Sequence, residues 1–166
     1  VIVKSCKKYK VNAFDFLDYI SPFVALAQSV GRWGNFVNGE AFGYETDLPW
    51  RMGISIRGGE MIYVHPTFLY ESLWNLLGVL LVYLFAKKIG KKYDGQLILL
   101  TFGWYGLGRM FIEGLRTDSL YVGPFRISQV LGLLFFLAGA GLLLYHHFTK
   151  TDMLFRRMDG KEAGKD

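Results

Sequence analysis

Residues 127–148 read Ile-Ser-Gln-Val-Leu-Gly-Leu-Leu-Phe-Phe-Leu-Ala-Gly-Ala-Gly-Leu-Leu-Leu-Tyr-His-His-Phe. A membrane crossing needs roughly 20 residues at about 1.5 Å rise each, and this run is long enough for one. Working outward, residues 97–115 and 68–86 form two further candidates. Residues 14–36 form a weaker fourth, interrupted by Asp15, Asp18 and Pro22. Of the 166 residues, 52% are hydrophobic, and they are concentrated in these runs. The expected fold is therefore all-α and membrane-embedded, with about four transmembrane or membrane-embedded helices and a small external loop or hairpin at about 37–66. Residues 1–148 make the membrane domain and 149–166 a charged cytoplasmic tail. The chain begins at Val1, and residues 1–3 read as the tail of an apolar segment, so further spans are expected upstream.

Charge layout sets the expected orientation. All eleven lysines fall within 4–10, 87–92 and 150–165, whereas six of the eight arginines (Arg32, Arg51, Arg57, Arg109, Arg116, Arg126) lie elsewhere. The positive-inside rule places the lysine clusters in the cytoplasm and the arginines toward the outer face. Arg51, Arg57 and Arg126 read as surface arginines near lipid headgroups. Arg32, Arg109 and Arg116 lie in or beside apolar helices, where an arginine at the bilayer centre costs about 2.5–3.5 kcal/mol on insertion scales. These three are expected to face a polar cavity or the interface.

Three constellations could carry chemistry. The first is Arg32, Asn35, Asn38 and Glu40, within Gly31–Gly43. Residues 32, 35 and 38 roughly share a helix face, and a cation flanked by carboxamides can hold phosphate and glycerol oxygens. The competing reading is a polar helix cap at the membrane surface. Gly31 and Gly34 are expected to let this stretch pack tightly, and Asn38-Gly39 to turn.

The second constellation is Tyr105, Arg109, Glu113 and Arg116, spaced as one helical stripe in which Glu113 can pair with both arginines. A buried structural ion-pair network is the alternative. The third is His65 to Glu71, where a histidine, Tyr70 and a glutamate fall together. Pro66 suits a first helical position and His65 the cap. Met52–Arg57 and Glu60–Val64, flanking Gly58-Gly59, suit a small hairpin. Glycines 103, 106, 108, 132, 139 and 141 offer small faces for helix packing. His146 and His147 read as interfacial.

Other signatures are missing. The single Cys6 excludes an internal disulfide framework and reads as a free thiol without a role. There is no phosphate-loop lysine motif, no His-Glu-x-x-His zinc site and no Gly-x-Ser-x-Gly elbow. The basic patches lack interleaved aromatics, which argues against nucleic acid as a partner.

Taken together, Gly31-Arg32-x-Gly34-Asn35-Phe36-x-Asn38-x-Glu40-x-x-Gly43 resembles the signature of bacterial prolipoprotein diacylglyceryl transferases. Three further pieces agree in order: His65-Pro66-Thr67-x-Leu69-Tyr70-Glu71, Tyr105-Gly106-x-x-Arg109-x-x-x-Glu113-x-x-Arg116, and Ser128-Gln129. The resemblance covers nearly all of residues 11–148. It implies a multi-pass enzyme of the bacterial plasma (inner) membrane, with its C-terminus cytoplasmic and its site toward the outer face. Such an enzyme moves a diacylglyceryl group from phosphatidylglycerol to the lipobox cysteine thiol of a preprolipoprotein signal peptide and releases glycerol phosphate. It uses no metal and no other cofactor.

On this resemblance Arg32, Arg109, Glu113 and Tyr105 take catalytic roles. Arg32, Asn35, Asn38, Glu40, Gly43, His65, Tyr70, Glu71 and Arg116 bind substrate. The family also carries an upstream His-Gly-Gly segment, whose histidine is a candidate base and has no counterpart here. A transporter or channel lined by buried charges, or an inactive fragment lacking the upstream catalytic helices, are the alternatives.

Overall fold

The computed structural model describes residues 2–9, 11–55 and 59–149. The expected charged tail from residue 150 onward and the Ile56–Gly58 part of the expected hairpin lie outside the described residues. Five helices dominate: α1 (Ile2–Tyr9), α2 (Ala13–Asn38), α3 (Thr67–Lys88), α4 (Gln96–Ile112) and α5 (Ile127–Thr149). The four helices expected from apolar runs are α2 to α5. Of these, α3 and α5 are long and apolar enough by themselves to cross a membrane. The short α1 was not anticipated, and it buries the Cys6 thiol.

Pro22 does not break α2. A proline at position 22 removes the N–H that would bond the carbonyl of Asp18. The Ser21 hydroxyl donates to that carbonyl instead, at 2.9 Å, so no buried acceptor is stranded and the helix runs on. Its far end closes as expected for Asn38-Gly39. Gly39 adopts φ +64°, its N–H bonds Phe36 O, and the Glu40 N–H bonds Asn35 O.

Many polar side chains are buried beside a small apolar core, and many large apolar ones are exposed. Asp18, Ser21, Ser29, Glu71, Ser72 and Asn75 are buried, while leucines and phenylalanines along α3 and α5 are exposed. Helices in lipid are held this way, by small residues and side-chain hydrogen bonds. Ser29 of α2 bonds the carbonyl and hydroxyl of Ser72 on α3, at 2.8 and 2.9 Å.

Trp74 of α3 and Trp104 of α4 stack at 4.3 Å. Each indole N–H bonds the other's backbone carbonyl, at 2.9 and 2.8 Å. Gly108 and Gly78 make room for the two rings. Between α4 and α5 the backbones touch: a Cβ on Gly132 would stand 2.7 Å from Gly106 O, and one on Gly139 would stand 2.9 Å from Leu99 O. Gly141, Gly31 and Gly34 face open space instead, so the expectation that these three permit tight packing fails.

Two small hairpins complete the fold. β1 (Met52–Ser55) pairs antiparallel with β2 (Met61–Val64), as the 52–64 pattern suggested. β3 (Tyr121–Val122) pairs with β4 (Phe125–Arg126) around Gly123, φ +59°, and was not anticipated.

At the end of the bundle where α2 begins, Lys91 in the α3–α4 connection reaches three carboxylates. It contacts Asp15, Asp94 at 3.0 Å and Asp18 at 3.3 Å. Asp18 also accepts the Gly95 and Ile98 N–H groups, at 2.8 and 2.9 Å. It thereby caps α4, whose own first turn has no acidic residue. Burial disfavours the Lys91 ammonium, but the hydrogen bonds to Asp15 and Asp94 outweigh it and raise its pKa. His146 is buried and stacks on Tyr93 at 4.6 Å.

Candidate active site

At the opposite end of α2 the bundle gathers three arginines around one acid. Glu71, in the second turn of α3, has a side chain only 7% exposed. Its Oε2 pairs with Arg32 Nε, from α2. Its Oε1 pairs with Arg109 Nη1, from the last turn of α4, at 2.6 Å. Arg116 Nη1 lies 3.8 Å from the same oxygen. Arg109 is fixed further by Glu113 Oε2 at 2.8 Å and by Ser128 Oγ, from the head of α5, at 3.3 Å. Three cations therefore meet the buried anions Glu71 and Glu113 and the half-exposed Asp118, and this pairing offsets part of the burial cost of each charge.

The stripe expected along residues 105–116 is only partly helical. The α-helix ends at Ile112, a 3-10 turn covers Glu113–Leu115, and Arg116 is extended at φ −81°, ψ 147°. Arg116 therefore does not pair with Glu113, as the spacing suggested. It forms a bidentate pair with Asp118 instead, at 2.9 and 2.8 Å, and approaches Glu71. The hydrogen bonds from Arg116 hold the Asp118 carboxyl below the usual carboxylate range and raise the arginine in return. Tyr105 lines a small cavity with Glu71, Trp74, Asn75 and Arg109.

The hub position of Glu71 is the feature that local spacing could not show. Arg32 deserves equal weight. Its closest contact with Glu71 is through Nε, and its side chain is 22% exposed. Among the described residues its two terminal nitrogens have no partner. A guanidinium oriented by one edge, with its other donors open, is suited to receiving a phosphate oxygen pair.

The remaining expected residues divide. Gly43 is buried, and a Cβ there would stand 2.6 Å from His65 Cβ and 2.8 Å from Leu115 O. Its N–H bonds His65 O at 3.0 Å, and it pairs with Arg116 as an isolated bridge. Gly43 therefore lies against the Arg116 and His65 backbones with no room for a side chain. Asn35 is half-buried beside this cluster in sequence, and its side chain has no partner among the described residues. Asn38 and Glu40 are exposed and bond each other at 3.2 Å.

His65 and Tyr70 belong to a separate chain of contacts. Trp50 Nε1 donates to Tyr70 OH at 2.9 Å, and Tyr70 OH lies 3.2 Å from His65 Nδ1. An indole N–H can only donate, so the tyrosine proton remains available to His65. His65 precedes Pro66, which occupies the cap, so α3 starts one residue later than the proline suggested.

A family model described as Prolipoprotein diacylglyceryl transferase matches residues 1–145. The chain belongs to that family. Relatives named phosphatidylglycerol–prolipoprotein diacylglyceryl transferase are similar to it. The protein from Finegoldia magna is 48% identical over 135 residues, covering 81% of this chain and 52% of the relative. That from Clostridioides difficile is 49% identical over 129 residues, covering 78% and 49%. That from Streptococcus sanguinis is 40% identical over 149 residues, covering 88% and 57%. The chain spans about half the length of the curated relatives it matches.

Membership gives the arginine cluster its context, because the quoted motifs meet in space. Arg32 from the first, Glu71 from the second, Arg109 from the third and Ser128 from the last form one connected network. Arg126, read as a surface arginine, is instead bound into this region. Its Nη1 donates to the carbonyls of Glu113 and Arg116 and its Nη2 to Tyr44 OH. Arg51 fits the surface reading, paired with exposed Asp47 at 3.0 Å.

Proposed function

We propose that this chain forms the phosphate-binding part of an enzyme that transfers a diacylglyceryl group from phosphatidylglycerol to the lipobox cysteine of a preprolipoprotein. The observation that carries the reading is Arg32: a charged donor held by Glu71 with its terminal nitrogens open, beside Arg109 and Arg116. In the reaction the cysteine sulfur attacks the glyceryl carbon, a C–S bond forms, and the C–O bond to phosphate breaks. Glycerol phosphate leaves with the electron pair, and the thiol proton passes to a base. Negative charge grows on the departing phosphate, so pre-placed guanidinium groups stabilise the transition state more than the ground state.

Arg32 and Arg109 are assigned to that phosphate. Glu71 and Glu113 hold them in place, Tyr105 donates a hydrogen bond at the cavity wall, and Asn35 orients the headgroup. Four helices, α2 to α5, cross the plasma membrane in this reading, with the Lys91 end cytoplasmic and the Glu71 end toward the outer face. The layout of lysines and arginines supports that orientation.

The test is transfer itself. The full chain is reconstituted in phosphatidylglycerol vesicles with a lipobox peptide, and the peptide gains the diacylglyceryl mass. Vesicles of phosphatidylcholine alone give none. Equal labelling from both lipids, or no labelling from phosphatidylglycerol, overturns the reading.

A further inference from the structure

Arg126, the last residue of β4, joins three separate stretches of chain. Its Nη1 donates to Glu113 O, to Arg116 O at 3.3 Å and to Ser119 Oγ at 3.4 Å. Its Nη2 donates to Tyr44 OH at 2.9 Å. The guanidinium carbon lies 6.0 Å from the Tyr44 ring centre and 5.4 Å from that of Tyr121. The carbonyls it takes lie just past the end of α4, where the helix dipole favours a cation, and Glu113 O also accepts the Arg116 N–H at 3.2 Å.

Those two carbonyls belong to the residues whose side chains complete the site. Glu113 grips Arg109, and Arg116 approaches Glu71. Tyr44 adds the third stretch, since its own N–H bonds Leu115 O at 3.0 Å and its neighbour Gly43 pairs with Arg116. We propose that Arg126 is a positioning residue for the transfer, acting from behind the site on the backbone of Glu113 and Arg116. The inference rests on the function proposed above. A lysine cannot take its place, because one ammonium does not reach two carbonyls and a tyrosine hydroxyl with a planar fork.

The test is a double-mutant cycle in the reconstituted full chain. Arg126→Lys and Arg126→Gln each lower kcat by roughly 10²-fold, the scale of an ångström-sized misplacement, and leave KM for phosphatidylglycerol within a few-fold of wild type. In a Glu113→Gln, Arg116→Lys background the same Arg126 substitutions cost little more, because the groups they position are already lost. A purely structural role would instead give additive losses in both backgrounds with a matching drop in Tm, and that result overturns the inference. Wild-type protein without transfer activity overturns the functional reading, whereas active wild type with additive losses overturns the Arg126 assignment alone.

Discussion

Arg32 and Glu71 pair edge-on: the arginine uses Nε, and the carboxylate keeps its second oxygen for Arg109. One acid thereby sets the spacing of two guanidinium groups from helices that are not neighbours in sequence. Glu71→Gln keeps the shape and removes the charge, leaving Arg32 without its counter-ion and Arg109 with Glu113 alone. Breaking a buried ion pair from one side costs about 3–5 kcal/mol. Transfer activity is expected to fall at least 10²-fold, by the scale of lost positioning, with a clear drop in thermal stability in detergent. A Glu71→Gln protein with wild-type Tm and rate would remove Glu71 from its hub role.

Arg32→Lys separates pairing from phosphate binding. An ammonium can still meet Glu71, so stability is expected to change little. It cannot pair with Glu71 and also present a planar pair of donors to phosphate. The expected result is a loss of roughly 10- to 100-fold in kcat/KM, equivalent to about 1.4–2.7 kcal/mol of transition-state binding. Arg51→Ala is the comparison, because an exposed pair of its kind contributes about 0–1 kcal/mol and lies away from the cluster. Equal losses in the two variants would show that the effect is one of general surface charge.

How much of this was legible in the residues depends on range. The run at 127–148 and the step from Arg109 to Glu113 are local, and both appear as read: α5 and a 2.8 Å ion pair. The helical period pairs Arg116 with Glu113, but the helix stops at Ile112, after which that period no longer applies. The pairing of Arg32 with Glu71 joins residues on different helices, and no spacing rule encodes it. Pro22 looked like a break because its effect depends on the neighbouring Ser21 hydroxyl. Gly123-Pro124 carried a turn signal that would have located the β3–β4 hairpin, and with it Arg126.

The α4–α5 contact is backbone on backbone, so it should be sensitive to a single methyl. A Cβ on Gly106 would press into Gly132 O and stand 2.7 Å from Phe136 N. Relief requires the helices to separate, and overpacking of this kind costs about 1–3 kcal/mol. Gly106→Ala and Gly132→Ala should each lower Tm, and because Arg109 bonds Ser128 across this contact, each should also lower activity. Gly141→Ala meets nothing within 4 Å and should be neutral or stabilising by about 0.5–1 kcal/mol. The same Tm for all three variants would mean that α4 and α5 are not in close contact.

Two clusters predict opposite limbs in a plot of stability against pH. The Asp118 carboxyl is held below the ordinary aspartate value of 3.8 by its hydrogen bonds from Arg116. It binds fewer protons folded than unfolded, so its contribution is complete above that value and is lost as pH falls through the lower folded value. Half-exposed as it is, the pair is worth at most about 1 kcal/mol, and Asp118→Asn should flatten the acid limb by that amount. Lys91 runs the other way. Its pKa lies above 10.5, so its contribution is complete below 10.5 and disappears as pH rises through the folded value. Lys91→Met should therefore flatten the alkaline limb. It should also destabilise the fold at neutral pH by about 3–5 kcal/mol, because buried Asp18 and Asp94 lose their shared cation. Thermal unfolding in detergent from pH 3 to 12 measures both limbs, and a Lys91→Met protein with an unchanged alkaline slope would show that another group governs it.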